Sequence, residues 1–544
     1  MNDSIGLITL NARFIHSSLS LRYLRNAARD AGYKNVWIRE YVIDQPIWKI
    51  GADILGRNPA VLGISVYIWN RNQSFELIER LKKQAPGLSI AVVGPEVSFD
   101  VPDSEDFVII SGEGEKKWVE FLGYRQRNET PPEEVLACWK TFGEDLPGLV
   151  PPYIDDDIEE LQNRIVYIET SRGCPYLCSF CLSALDKSVR YFDDGVIRHQ
   201  IQKLVSGGIK KIKFVDRTFN LKPGRMKALL HELSRLKGVA FHFEVVGDIL
   251  TPDLLNFLDS VPEGMFQFEI GIQTTNEEPQ RLIQRKQDNR KLFHSIQRLL
   301  EKNLIHIHCD LIFGLPGETL EQSLRSFAEV CRMNPHELQI GFLKFLPGAP
   351  IKNLIEKFDY QYQSHPPYEI LSSKNLSPEQ LNYLKKFSEV FDLFYNSKKF
   401  RFTLSRLLEE QDPVDVFDRL LNYMEKNGGF GKSLNLEDRY RTLSDAFGLE
   451  RNSEHKDLLK LDYLYAQRVY RIPPFMKNGS AASIKPKTWS GDKKTPVIPF
   501  NHEIKILGSR VHLSPSDQPL YYAVVHPEIS EGYLRLPKVE RVNP

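Results

Sequence analysis

Residues 164–181, RIVYIETSRGCPYLCSFC, run from an apolar strand into a loop that carries three cysteines. The spacing is Cys174-x-x-x-Cys178-x-x-Cys181. Thiolates are soft ligands, and they hold iron–sulfur clusters. Three of them on one short loop can ligate three irons of a 4Fe–4S cluster and leave the fourth iron open. A zinc site wants four ligands, typically two Cys-x-x-Cys pairs or one pair with histidines. No second pair follows here. Cys138, Cys309 and Cys331 lie far off in sequence and read as inert buried thiols. The remaining reading of the cluster is a chance grouping within a loop.

Downstream of that loop, strand and helix signals alternate. Strand candidates lie at 211–216, 240–246, 265–273, 305–314 and 338–346. Helical segments such as 193–208, 252–261, 290–303 and 320–334 separate them. With the first strand at 164–169, these make six β–α units, too few for an eight-fold barrel. The expectation is an open, partial (βα)6 barrel whose active site lies at the carboxyl ends of its strands. Upstream, strands at 5–10, 35–43, 60–68, 89–94 and 106–115 alternate with helices at 18–33 and 74–87. This predicts a doubly wound, Rossmann-like α/β domain over 1–125. Residues 126–163, with RNETPPEE, LPGLVPPY and IDDDIEE, read as a linker. The barrel occupies 164–355. From 356 to 544 the chain turns mostly helical, with helices at 376–396 and 413–428 and more to about 470. A polar, Gly- and Lys-rich loop at 476–496 and two closing strands follow.

Composition agrees with a multidomain globular chain. The 544 residues are 42% hydrophobic and 26% charged, which excludes a disordered or collagen-like protein. Lys+Arg and Asp+Glu number 71 each, so no basic surplus exists for bulk nucleic-acid binding, and nucleic acid is not an expected partner. No apolar run approaches the roughly 18 residues that span a bilayer. The start, MNDSIGLITLNARF, does not read as a signal peptide. A cytoplasmic location without a membrane partner is expected.

The cysteine spacing, just after the first strand of a βα series, resembles the radical S-adenosylmethionine (SAM) superfamily. Phe180 matches the aromatic residue usual before the last cysteine. GIQTTN (271–276) resembles the fourth-strand motif, in which a glutamine and a neighbouring hydroxyl reach the SAM ribose. That implies Gln273 and Thr274. DLIFGLPGET (310–319) resembles the fifth-strand motif near the adenine and implies Asp310 and Gly314. Glu244 in FHFEVVGD and Arg285 in RLIQRKQD match a third-strand glutamate and an arginine that contact SAM in this subgroup. Glu244 reads equally as an ordinary polar residue at a strand end, and Gly314, Pro316 and Gly317 read equally as a simple turn. FVDRTFN (214–220) stands at the second-strand motif but lacks its usual glycine pair or glutamate.

A doubly wound domain before such a core resembles the cobalamin-binding domain of the cobalamin-dependent subgroup. NARFIHSSLSLRYL (11–24), GISVYIWN (63–70), VVGPEVSF (92–99) and ISGEGE carry the resemblance. It implies cobalamin contacts from Asn11, His16, Ser65, Tyr67, Gly94, Glu96, Gly112 and Glu113. His16 lacks the Asp-x-His-x-x-Gly signature of ligand donors, because Phe14 and Leu19 occupy the flanking positions. A histidine packed beside a helix start is its other reading. Glu113 and Glu115 either orient corrin amides or cap a helix. A Rossmann dinucleotide site is disfavoured, since no Gly-x-Gly-x-x-Gly follows the first strand.

PPYEILSSKNLS (366–377) and YNSKKFRFTL (395–404) resemble the uncharacterised C-terminal extension of one cobalamin–radical SAM family. Tyr395, Asn396 and Phe400 read equally as helix packing and capping. The cofactors implied are a 4Fe–4S cluster, S-adenosylmethionine and cobalamin. The implied activity is oxygen-sensitive methylation of an unactivated carbon of a small-molecule substrate, with reducing flavodoxin or ferredoxin as electron donor. Radical cyclisation, rearrangement or hydroxylation is the alternative chemistry. A cluster- or cobalamin-binding sensor is the alternative from a different class, and it would yield no SAM cleavage product.

Overall fold

Five short apolar runs make the first sheet: β1 (Ile5–Asn11), β2 (Val36–Val42), β3 (Val61–Ser65), β4 (Ser89–Val93) and β5 (Val108–Ile110). The computed structural model describes residues 4–99, 104–141, 150–466, 472–477, 497–507, 510–525 and 538–542. All five strands are parallel, in the order β2-β1-β3-β4-β5. Successive strand residues point to opposite faces. Accordingly Leu7 enters one core with Leu21 and Trp118, while Ile8 and Leu10 enter another with Ile64 and Leu77. Helices Leu19–Asp30 and Glu115–Gln126 cover the first face; Ile47–Gly56 and Arg71–Gln84 cover the second. The strand order reverses between β1 and β3, which opens a crevice at their carboxyl ends.

The second sheet begins at β6 (Val166–Ile168). A short antiparallel hairpin follows, β7 (Ser171–Arg172) with β8 (Arg190–Tyr191), and it brackets the cysteine loop. Then come β9 (Lys211–Phe214), β10 (Ala240–Val245), β11 (Phe266–Gln273), β12 (His306–Phe313) and β13 (Glu337–Phe342). The six long-range strands are parallel, in the order β13-β12-β11-β10-β9-β6, with β13 and β6 at the two edges. This is the open partial barrel that the sequence predicts. Phe241, Phe243, Phe268, Ile270 and Cys309 lie fully buried under the helices. The other face is polar. His242 and Glu244, Gln267 and Glu269, His308 and Asp310, and Glu337 and Gln339 alternate with these apolar positions along four adjacent strands.

Neither edge of this sheet is left bare, a condition that would invite pairing with another chain. On the β6 side, Ile165 N–H donates to Ile15 O at 2.7 Å, and Ser17 Oγ donates to Ile165 O at 2.7 Å. His16 thus forms a parallel bridge with Ile165. On the β13 side the Asn396 side chain imitates a strand peptide. Its Oδ1 accepts from Leu338 N at 3.1 Å, and its Nδ2 donates to Leu338 O at 2.8 Å.

The segment read as a linker holds two helices, Glu133–Trp139 and Asp155–Leu161, with residues 142–149 outside the described ones. Trp139 and Tyr153 are buried, and Asp157 takes two bonds from Arg25, at 2.6 and 2.7 Å. Proline-rich sequence hid this packing, because the anchors are isolated residues without periodicity. Cys309 and Cys331 are buried as expected, and burial pushes both thiols well up. Cys138 departs from expectation: it is exposed on the helix Glu133–Trp139.

After β13, a small antiparallel pair, β14 (Gln361–Tyr362) with β15 (Ile370–Ser372), precedes helices Pro378–Phe391, Arg401–Glu410, Pro413–Lys426, Leu436–Phe447 and Ser453–Ala466. The helix read as 376–396 ends at Phe391 and passes into a wider π turn over Asp392–Asn396. Asp462 holds the start of Arg401–Glu410 by accepting from Phe402 N and Thr403 N at 2.9 and 2.8 Å. The polar loop at 476–496 lies almost wholly outside the described residues. The closing strands are β16 (Val497–Leu507) and β17 (Arg510–Val525), joined by β18 (Lys538–Val542). Among the described residues no helix is long and apolar enough to cross a membrane.

Candidate active site

The cysteine loop is shaped from below by one buried carboxylate. Asp216, just past β9, accepts from Thr170 N and Thr170 Oγ1 at 2.8 and 2.6 Å and from Ser171 Oγ at 2.6 Å. It thereby turns the chain from β6 into the hairpin. Gly173 sits at φ +90°, and a Cβ there would lie 1.9 Å from Ser188 O across the hairpin. Cys174 N–H donates to Asp186 O at 3.0 Å. Cys174 and Cys178 are buried and Cys181 is half-buried. Cys174 Sγ lies 3.8 Å from Thr218 Oγ1, and Arg285 Nη1 lies 3.8 Å from Cys178 Sγ. Burial pushes the Cys178 thiol up, and Arg285 partly offsets that. Phe180 packs half-buried against the main core. Among the described residues no three His, Cys, Asp or Glu side chains close around a single-ion point. A zinc ion with bonds of about 2.3 Å to sulfur needs such convergence. The three free cysteines of this one loop are soft thiolate donors of the kind that hold iron–sulfur clusters.

The positions that the resemblance assigns to SAM lie along neighbouring strands and the loops at their carboxyl ends. Arg285 is fixed at three points: near Cys178, by donating to Gly271 O, and by donating from Nε to Gln287 Oε1 at 2.8 Å. Gln273 ends β11 at φ +68°, rare for a residue with a side chain, and its ladder with β12 shifts register there. A Cβ on Gly271 would lie 2.3 Å from Gln273 Nε2, so the glycine makes room for that amide. Glu244 lies on the inner face of β10. Burial pushes its carboxyl up to about 7, Arg217 pulls it back, and Glu269 and Asp310 push it further. Asp310 is 3.2 Å from His308 Nε2. Burial opposes charge on His308, yet Asp310, Glu337 and Glu269 outweigh it and raise the imidazole. Gly314 follows at φ +89°, and its carbonyl accepts from Tyr360 OH at 3.0 Å.

Thr274, which the resemblance assigns to the ribose, lies inside the turn after β11. It is fully buried, and its hydroxyl donates to Glu318 Oε1 at 2.5 Å. Asn276 Nδ2 donates to the same oxygen at 2.8 Å. Thr274 thereby braces the turn behind Gln273. Burial pushes Glu318 up from 4.5 to about 7, against the bonds from Thr274 and Asn276. Between those values the folded protein holds a proton that the unfolded chain has released, so stability falls as pH rises from 4.5 towards 7. Glu318→Gln keeps that site neutral at every pH. It is expected to remove roughly 3 kcal/mol of this fall, seen as a flatter urea-unfolding profile between about pH 5 and about pH 8.

In the first domain the crevice between β1 and β3 carries hydroxyls. Ser20 Oγ lies 3.3 Å from Ser65 Oγ and 3.1 Å from Tyr67 OH. Gly94, at φ +108°, approaches so closely that a Cβ would lie 2.5 Å from Val66 O. Gly112, at φ +66°, donates its N–H to Ser98 Oγ at 3.3 Å. Phe14 and Trp69, on loops at the same strand ends, are 64% and 43% exposed, an apolar surface fit for a flat macrocycle. This site fits cobalamin by its crevice, its hydroxyls, its close-approach glycine and its exposed aromatic rings.

Like Ser65, Tyr67 and Gly112, the expected corrin contacts Asn11, His16, Glu96 and Glu113 are engaged within the protein. Asn11 Nδ2 donates to His16 O and to Glu40 Oε2, both at 2.9 Å. His16 Nδ1 lies 2.7 Å from Tyr167 OH, and burial, then Lys213, lowers its imidazole. It is a seam residue between the domains, close to the packed reading. Glu96 is buried, accepts from Tyr368 OH and lies 3.3 Å from Arg71 Nη1. Glu113 takes two bonds from Arg190, at 2.8 and 2.6 Å, and Glu115 pairs with Arg172 at 2.7 Å. Both arginines lie in the hairpin that brackets the cysteine loop. The carboxyl-end loop after β5 is thus tied to the loop that carries the thiols. Loop arginines carry no periodic signal, so sequence reasoning missed these ties.

Comparison with known proteins bears on both sites. Residues 5–122 match the B12 binding domain family, 168–328 the Radical SAM superfamily, and 356–494 a family described as a protein of unknown function, DUF4080. The chain is 25% identical over 345 residues to the cobalamin-dependent radical SAM methyltransferase TokK of Streptomyces tokunonensis, covering 55% of this chain and 49% of that protein. It is 24% identical over 341 residues to a 2-(S-pantetheinyl)-carbapenam-3-carboxylate methyltransferase of Streptantibioticus cattleyicolor, covering 54% and 48%. The chain thus spans about half the length of these curated relatives. Its fold resembles the radical SAM methyltransferase TsrM from Kitasatospora setae, solved with cobalamin and a [4Fe-4S] cluster bound, with a TM-score of 0.55 at 16% identity over 70% of this chain and 83% of that one. It also resembles the cobalamin-dependent SAM radical enzyme OxsB, with a TM-score of 0.57 at 14% identity over 85% and 79%.

Proposed function

We propose that this chain, which belongs to the cobalamin-dependent radical SAM proteins, is an enzyme that methylates an unactivated carbon of a small-molecule substrate, with reduced flavodoxin or ferredoxin as electron donor. The observation that carries the reading is the Arg190–Glu113 and Arg172–Glu115 pairing. It joins the carboxyl-end loop after β5 to the cysteine loop, which supports reading the thiols and the corrinoid crevice as one site. When bound, cluster, SAM and cobalamin supply a carbon radical and a transferable methyl group. The protein's own part is placement. Cys174, Cys178 and Cys181 hold the cluster. Arg285, already beside Cys178, is set to clamp a carboxylate with a planar fork. Gln273 and Glu244 offer hydrogen bonds to ribose hydroxyls, and Glu244 can donate or accept near neutral pH because of its raised carboxyl. Asp310 and Gly314 flank the adenine end.

The test is anaerobic purification from cobalamin-fed cells, followed by SAM and dithionite. The expected protein carries about four irons and about one cobalt per chain. It should form both 5′-deoxyadenosine and S-adenosylhomocysteine, whereas Cys178→Ala should lose iron and 5′-deoxyadenosine. Iron without cobalt, and 5′-deoxyadenosine without S-adenosylhomocysteine, would sink the methyl-transfer reading.

A further inference from the structure

The segment that leaves β13 touches three parts of the site in turn. Ile351 N–H donates to Ser179 O, inside the cysteine loop, at 2.7 Å. Tyr360 OH donates to Gly314 O, at the end of β12, at 3.0 Å. The chain then folds back beside its own start: Phe345 N–H donates to Tyr368 O at 2.8 Å, and Ile370 N–H to Leu343 O at 3.0 Å. These bonds flank an isolated antiparallel bridge between Lys344 and Glu369 and bring Tyr368 to the first domain. There its hydroxyl donates to the buried carboxylate of Glu96. Next to that contact, the Phe99 ring lies on the backbone of Gly348, where a Cβ would come within 2.5 Å of it. Glu96 and Phe99 belong to one short loop, 94–99, which starts at the close-approach glycine and is bonded through Ser98 to Gly112.

From these contacts we infer that residues 345–372 form a strap, and that Tyr368 is a positioning residue for cobalamin, holding the 94–99 loop against the barrel mouth. This gives the start of the C-terminal family region a role. The role rests on the cobalamin reading above. Arg71 alone cannot replace Tyr368, because it comes from the same domain as Glu96 and fixes nothing between domains. The loop starts against Val66, just past β3 at the edge of the crevice, so releasing the hydroxyl frees the loop without touching the thiols.

The test compares wild type, Tyr368→Phe and Glu96→Gln as full-length, cluster-reconstituted proteins. Amide hydrogen exchange over 94–99 is measured without cobalamin, and aquacobalamin binding by titration. A hydrogen bond to a charged group predicts about tenfold weaker aquacobalamin binding by Tyr368→Phe, with faster exchange in 94–99 and unchanged iron. Glu96→Gln keeps an acceptor oxygen for Tyr368 and is expected to lie nearer wild type. Unchanged exchange in 94–99 would overturn the strap. Faster exchange with unchanged aquacobalamin affinity would overturn its role in positioning cobalamin. Wild type that binds no aquacobalamin would instead overturn the function proposed above, while exchange would still decide the strap.

Discussion

Glu40→Ala is expected to remove about 3–5 kcal/mol of unfolding free energy. The side chain of Glu40 on β2 has no solvent exposure, and three side chains converge on it: Arg22 Nη1 at 2.5 Å, Arg164 Nη1 at 2.7 Å and Asn11 Nδ2 at 2.9 Å. Ser18 N–H adds a fourth bond at 3.1 Å. Arg22 and Arg164 have side-chain exposures of 1% and 7%. Removing the carboxylate leaves two guanidiniums desolvated without their counter-charge, the costly way to break a buried pair. Arg22 keeps its bond to Ser18 O, at 2.7 Å, but as counter-charge it has only a longer contact to Asp157, at 3.6 Å. The effect reaches beyond the first domain, because Arg164 precedes β6. The check is urea unfolding of wild type and variant. A loss below about 1 kcal/mol, the range of exposed pairs, would show that the network is not what fastens the domains.

Gly173→Ala is expected to empty the iron site while the first domain stays folded. The added methyl would need to sit 1.9 Å from Ser188 O and 2.9 Å from its carbonyl carbon, and backbone cannot swing aside as a long side chain can. The residue is also at φ +90°, a conformation that side chains disfavour. The hairpin must therefore open, and with it the arrangement of Cys174, Cys178 and Cys181. Iron per chain after reconstitution should fall from about four to near zero, and the cluster's visible absorption should vanish. Gly224→Ala is the matched control: nothing lies within 4 Å of its added Cβ. Full iron in Gly173→Ala would mean that the loop closes in another way.

The sequence showed the strands that periodicity governs. IGLITL, AVLGISVYI and SIAVVG are the continuous apolar runs of a sheet covered on both faces, and they are β1, β3 and β4. The barrel strands carried a second message in FHFEV, FQFEI and HIHCD. Their alternation is unusual for a parallel sheet, and it marks the polar inner face that holds Glu244, Glu269 and Asp310. The cysteine spacing was legible because chemistry fixes it locally. The partners of Glu96 and Glu113 were not, since Tyr368 and Arg190 come from elements 272 and 77 residues away. Short polar motifs in loops show that a residue is engaged but not with what. Thr274 is the same case: a hydroxyl beside a glutamine looks like a ligand contact, and only the fold reveals Glu318 behind it.

The covered edges of the barrel sheet make its modularity deceptive. A segment cut at the boundaries of the central domain would lose Ile15 and Ser17 from one flank and Asn396 from the other. Its two outermost strands would then meet solvent with unpaired peptide groups, ready to zip onto the next molecule. Anyone grafting this catalytic core into a chimera must transplant both guards with it, because here insulation against self-association is supplied by the neighbours.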